Sequence, residues 1–168
     1  MILRGLVSKL GMGVPYAESS PQSYDDAGNI PYSGNSHISS HKYALVQSKG
    51  HPEHFRKHFD QVCSFDSEFC IHGPAAVSSI RRFLRSDNHW PPNEAWVYHI
   101  QRGHLAMAYH DQIFRIAGKV FGDMPDLPTF VKHGQAMHLE EMRCEFESAR
   151  RNRPDCGGTM FWMFNDCW

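Results

Sequence analysis

The sequence predicts an α/β fold assembled from parallel strand–helix units. Short β-branched or aromatic runs alternate along the chain with longer stretches whose apolar residues recur at helical spacing. Helix punctuation is explicit, with Asp126 and Pro128 opening one long stretch and Pro154 closing it. The run Gly158-Thr-Met-Phe-Trp-Met-Phe-Asn-Asp-Cys-Trp168, entered through a glycine pair, has the pattern of a buried strand whose last residues surface with polar groups attached.

Taken in order, Ile2, Leu3, Leu6, Val7 and Leu10 form a helical stripe closed by Gly11. Val14 to Ala17 fits a short strand that ends at Glu18-Ser19-Ser20-Pro21. From there to about Gly50 the chain is mostly Ser, Gly, Asn, Asp, Pro and His, and a loop that long in a compact domain is usually functional or disordered. Pro52 to Phe59 fits a short helix and Val62 to Phe69 a second strand. Pro74 then occupies a first helical position, with Val77, Ile80 and Leu84 along one face. Trp90-Pro91-Pro92 interrupts the chain before a helical tract from about Glu94 to Val120. Asp126 caps the next helix, which places Leu127, Val131, Leu139, Met142 and Phe146 on one stripe. The last strand follows. No internal repeat or hinge divides the chain, so one domain is expected.

Composition removes several function classes. The chain has 168 residues, 41% hydrophobic and 12% aromatic, which lies outside the disordered range. A net charge of -1 gives no electrostatic case for nucleic acid or anionic lipid. The basic cluster Arg150-Arg151-Asn152-Arg153 sits where a helix ends, a position that favours cations anyway. No apolar run reaches the roughly 18 to 20 residues of a membrane span, and Met1 opens no signal-peptide pattern. The five cysteines lack CxxC spacing, which argues against a disulfide framework or zinc ribbon. As reduced core residues they lean toward a cytosolic setting. His54 and His58 stand four apart beside His51 and Glu53, but an exposed polar helix face accounts for them better than a metal. His99, His104 and His110 do not share a face. No metal or cofactor is expected. The aromatic terminus at Trp168, with neither cap nor tail, points to a cut through a larger protein.

In parallel strand–helix units the chemistry lies at the C-terminal strand ends. The three ends here present Ser19-Ser20-Pro21, then Asp66-Ser67-Glu68, then Trp162 with Asn165 and Asp166. Glu68 lies between Phe65 and Phe69. A carboxylate held beside aromatic surface suits a nucleophile or acid, and equally suits a salt bridge.

The order Ser19-Ser20-Pro21, Gly34-Asn35-Ser36-His37, Ser67-Glu68-Phe69 and Gly158 to Trp168 resembles the C-terminal part of the catalytic barrel of glycoside hydrolase family 2, in particular its β-mannosidase-like branch. That branch shows SSP, G-D-x-H, S-E-[FY]-G and G-[AT]-x-x-W-x-x-N-D-x-W-P in the same order. The resemblance implies a partial (β/α)8 TIM barrel, roughly its last three βα units, spanning residues 1–168. It implies that the upstream sugar-binding and immunoglobulin-like domains and the first barrel strands belong to the rest of the parent chain. It also implies a retaining exo-β-glycosidase acting on a carbohydrate, with Glu68 as nucleophile and no cofactor. Trp162 would be a sugar platform, Asn165 and Asp166 would bond sugar hydroxyls or fix the rim, and His37 would face the sugar.

Some positions depart from the family pattern. Cys70 replaces the usual glycine, Asn35 replaces the Asp of G-D-x-H, and Met163 and Phe164 replace a more polar pair. These changes bear on the substrate rim, and they also permit a non-catalytic carbohydrate-binding or scaffold remnant of the same barrel. The family's proton donor lies upstream of anything in this sequence. Asn93-Glu94 imitates that donor pair, yet it follows the nucleophile and opens a helix, where a Glu has a full structural explanation. A chain with the nucleophile and no acid is expected to be inactive by itself.

Overall fold

The computed structural model describes residues 2–11, 13–14, 16–22, 34–37, 63–70, 73–100, 116–162 and 164. Helix α1, Ile2–Lys9, forms on the expected stripe, but the stripe faces outward: Ile2, Leu3, Leu6 and Leu10 are all exposed. The strand expected at Val14 to Ala17 does not form among the described residues. The ladder position it would fill is taken by Ser36, which bridges Asp66 in parallel, while Asn35 bridges Gln22 in antiparallel fashion. A short polar segment thus supplies the third strand-like element, because its backbone is what meets the sheet edge.

Strand β1, Asp66–Cys70, pairs in parallel with β2, Thr159–Trp162. The regular ladder starts later than Val62 would suggest. Backbone bonds from Gly157 N to Ser64 O (2.8 Å) and from Asp66 N to Gly158 O (3.0 Å) lead into it. Close approach matters at Gly158, where a Cβ would stand 2.9 Å from the Phe65 ring. The pairing is irregular in its middle: Asp66 aligns with Thr159 and Phe69 with Phe161. Three steps along β1 therefore match two along β2, and Ser67 and Glu68 occupy the bulge.

Helix α2, Val77–Phe83, begins after an extended lead-in that contains Pro74, so that proline precedes the first turn. Ile80 and Leu84 are buried as expected. A 3-10 turn, Ser86–Asn88, leads to α3, Glu94–Ile100. Residues 116–121 are helical too, and 101–115, the middle of the expected tract, lie outside the described residues. The long helix α4, Leu127–Arg151, starts where expected, with the Asp126 side chain accepting from Thr129 N at 2.8 Å. It ends on Arg150 and Arg151, and Asn152 caps it by donating to Ser148 O.

The buried face of α4 is not the one hydrophobicity alone suggested. Leu127 and Val131 are buried, but they continue into Phe130, Gly134, Met137, Cys144 and Ser148, while Leu139 faces solvent. Glu145 is buried on the same face, so the face mixes apolar, small and polar residues and is not marked by apolarity alone. Its first half closes a core of Ile80, Leu84, Trp96, Leu127, Phe130 and Val131. Phe130 is fully buried, meeting Trp96 edge-on at 5.7 Å and Trp90 at 5.3 Å. Its second half meets the strands through Phe146, which stands against Phe69 and Phe161, and Ala149 packs on a smaller cluster of Cys63 and Cys156. Cys63, Cys144 and Cys156 are free and buried, in line with their reading as core thiols. Burial pushes the Cys144 thiol above its usual range, against a partial opposing pull from Arg143.

The final strand departs from expectation in its exposure. β2 was expected to be buried, whereas Met160 and Trp162 are each more than half exposed and Phe164 is almost fully so. Among the described residues β2 pairs with β1 alone, so one edge and part of one face are open.

Candidate active site

The irregular first part of β1 brings three of the sequence motifs together. Ser67 and Glu68 project from the bulge, His37 arrives on the segment that bridges Asp66, and Ser20 arrives from the Ser-Ser-Pro turn. Glu68 Oε2 lies 3.8 Å from His37 Nε2, and both side chains are about one-quarter exposed, 27% and 24%. This is a partly desolvated carboxylate reachable from solvent, the exposure that attack on a substrate requires.

Around this pair runs a chain of short polar contacts. Ser20 Oγ is 2.9 Å from His37 Nε2 and 2.5 Å from Ser67 Oγ. The Ser67 hydroxyl donates to Asn35 Oδ1 (3.0 Å) and Ser36 O (3.2 Å). Backbone bonds from Ser36 N to Phe65 O (2.8 Å) and from Ser67 N to Ser36 O (2.9 Å) fix the spacing of the two segments. Below Glu68, the buried Asp66 carboxylate accepts from Thr159 Oγ1 at 3.0 Å and ties β1 to β2.

Trp162 stands at the C-terminal end of the neighbouring strand, in register with Cys70. Phe161 and Phe69 turn toward Phe146 on α4, at 6.1 and 5.4 Å, so alternation sends Trp162 to the face away from that helix. Asn165 and Asp166 lie outside the described residues, as do His54 and His58. Among the described residues no group of His, Cys, Asp and Glu could hold a metal ion, and no helix is long and apolar enough to cross a membrane. Asn93 accepts from Ala95 N at 3.0 Å at the start of α3, which gives the imitation Asn-Glu pair a capping role.

The polar chain linking Ser20, Ser67 and Asn35 had a signal in the sequence only as motif letters. Nothing in their spacing indicates that two serines 47 residues apart share a hydrogen bond. The bulge has no sequence signal at all.

No family model matches the sequence, and no curated protein matches it either. Among solved structures, the β-D-mannosidase from Dictyoglomus thermophilum superposes with a TM-score of 0.78 over 99% of this chain, at 23% identity. The chain has the fold of one part of a β-D-mannosidase. It spans 19% of the length of that β-D-mannosidase, so the likeness concerns a piece of the larger molecule. The mixed α/β architecture with parallel strands is thereby established at the level of fold.

Proposed function

We propose that this chain contributes the nucleophile half of a retaining exo-β-glycosidase barrel of glycoside hydrolase family 2, β-mannosidase-like in type. In this reading residues 1–168 form roughly the last three βα units of a (β/α)8 barrel, and preceding segments of a parent protein supply the remaining staves and the acid/base carboxylate. The observation that carries the reading is the placement of Glu68. It stands in the irregular middle of a parallel strand, partly exposed beside His37, within a fold shared with part of a β-D-mannosidase.

The chemistry follows from two carboxylates about 5 to 5.5 Å apart. Glu68 attacks the anomeric carbon as the partner acid protonates the departing oxygen, leaving a glycosyl ester on Glu68. Water, activated by the same partner acting as base, then hydrolyses that ester. Trp162 offers its face to the C–H groups of the sugar, and Asn165 and Asp166 complete the rim. His37 stands 3.8 Å from the nucleophile and is itself partly exposed. The substrate is a β-linked glycoside, with mannosides first among those to test, and a cytosolic setting fits the reduced thiols.

The test is Glu68→Ala in the complete protein. Turnover of an activated aryl glycoside should fall by several orders of magnitude, and azide should partly restore it as the missing nucleophile. Unchanged turnover removes Glu68 from the mechanism. Sugar binding without turnover by the wild-type protein favours the carbohydrate-binding remnant that Cys70 and Asn35 would permit.

A further inference from the structure

The hydroxyl chain beside Glu68 has a direction. A serine carries one hydroxyl hydrogen, whereas a carbonyl or amide oxygen carries none. Ser67 Oγ has two such hydrogen-free oxygens in range, Asn35 Oδ1 and Ser36 O, so its hydrogen goes to that side. Ser20 Oγ, 2.5 Å away, must then donate to Ser67. Having spent its hydrogen, Ser20 can only accept from His37 Nε2, its other partner among the described residues, at 2.9 Å. That nitrogen must therefore bear a hydrogen.

We propose that Ser20 and Ser67 form a directional hydrogen-bond relay, running from His37 through Ser20 and Ser67 to Asn35 and Ser36, which fixes a hydrogen on His37 Nε2, the nitrogen beside the Glu68 carboxylate. Ser20 is thereby a positioning residue for the nucleophile; its effect on catalysis, though not the relay, rests on the glycosidase reading. The consequence is electrostatic. At 3.8 Å from Glu68 Oε2, an Nε2 lone pair would oppose the carboxylate, whereas an Nε2 whose hydrogen is given to Ser20 leaves the positive side of the ring nearest to it. The relay has a buried end to hold it, since Ser36 is buried and hydrogen-bonded through its own backbone to Phe65 and Ser67. With Asn35 in place of an aspartate, the terminal acceptor is an amide oxygen, and the second acceptor at Ser36 O preserves the direction.

The relay is tested by 15N–1H correlation spectra of the complete protein labelled at histidine nitrogen, with His37→Gln identifying the His37 signals. The expected wild-type pattern is a hydrogen on Nε2. In Ser67→Ala the Ser20 hydrogen is released and can turn to His37, so the population with the hydrogen on Nδ1 should rise. Ser20→Ala should leave the two tautomers mixed, and Ser20→Thr should restore the wild-type pattern. A wild-type His37 with its hydrogen on Nδ1 alone overturns the relay, as does a pattern unmoved by both alanine variants. With an aryl glycoside as substrate, Ser20→Ala should lower kcat about tenfold with KM nearly unchanged, as expected for a misplaced catalytic constellation. An equal loss in Ser20→Thr would assign the effect to packing and overturn the positioning role. The spectra do not depend on turnover, so the relay and the glycosidase reading fail separately.

Discussion

At the scale of single residues, polar groups here act by where their hydrogens point. Asp126 gives the clearest accounting. Its carboxylate is held below the usual aspartate range first by the Thr129 hydroxyl and then by the Thr129 backbone N–H. A carboxyl with a lowered folded-state pKa contributes stability above its unfolded value and loses it as pH falls through the folded one. Asp126→Ala should therefore melt below the wild type at neutral pH. The two curves should converge as pH drops below the ordinary aspartate value of about 3.9. Thermal melts of both proteins between neutral and strongly acidic pH check this, and a gap that persists in acid would show that the cap works without its charge. Asp126 was legible in the sequence because capping is local: the residue, its proline at the next turn and the amide it captures lie within three positions. The relay at Ser20 was not legible, because its geometry exists only after three distant segments meet.

At the scale of elements, α4 shows how sequence pattern and packing diverge. Its start, its end and the burial of Leu127 and Val131 follow from capping and periodicity. The rest of its buried face runs through Phe130, Gly134, Met137, Cys144, Glu145 and Ser148, while Leu139 points outward. Hydrophobicity alone therefore picked a face rotated from the true one. Phe146 sits on the border, half in solvent yet edge-on to Phe69 at 5.4 Å. Phe69 is the fully buried member of this pair and the residue directly after Glu68. Phe69→Ala should cost about 3–5 kcal/mol through the cavity it leaves. It should also disturb Glu68, because the bulge that aims the carboxylate ends at that residue. Phe164→Ala, at a nearly fully exposed position, should stay within about 0.5 kcal/mol of wild type. Denaturant melts of the pair decide whether the strand is anchored through its aromatic face or through its ladder alone.

At the scale of the whole molecule, two apolar surfaces stand out as exposed among the described residues. One is α1, whose stripe of Ile2, Leu3, Leu6 and Leu10 buries nothing. The other is β2, where Met160, Phe161 and Trp162 are exposed beside a backbone edge that pairs with no further strand among the described residues. An open edge flanked by apolar side chains is a template for pairing with another chain, and a barrel removes that hazard only by closing. Helix α4 and the tryptophan-lined core give the chain local order, but they do nothing for this edge. The 168-residue chain by itself should accordingly associate, with a sedimentation coefficient that rises with protein concentration. Met160→Lys places a charge on the exposed strand without touching the Phe69 cluster, so it should suppress association and leave the melting temperature nearly unchanged. If the wild-type chain instead sediments as a monomer at every concentration and unfolds in one sharp transition, the exposed edge is tolerated. The proposal that other barrel staves cover it would then lose its physical motive.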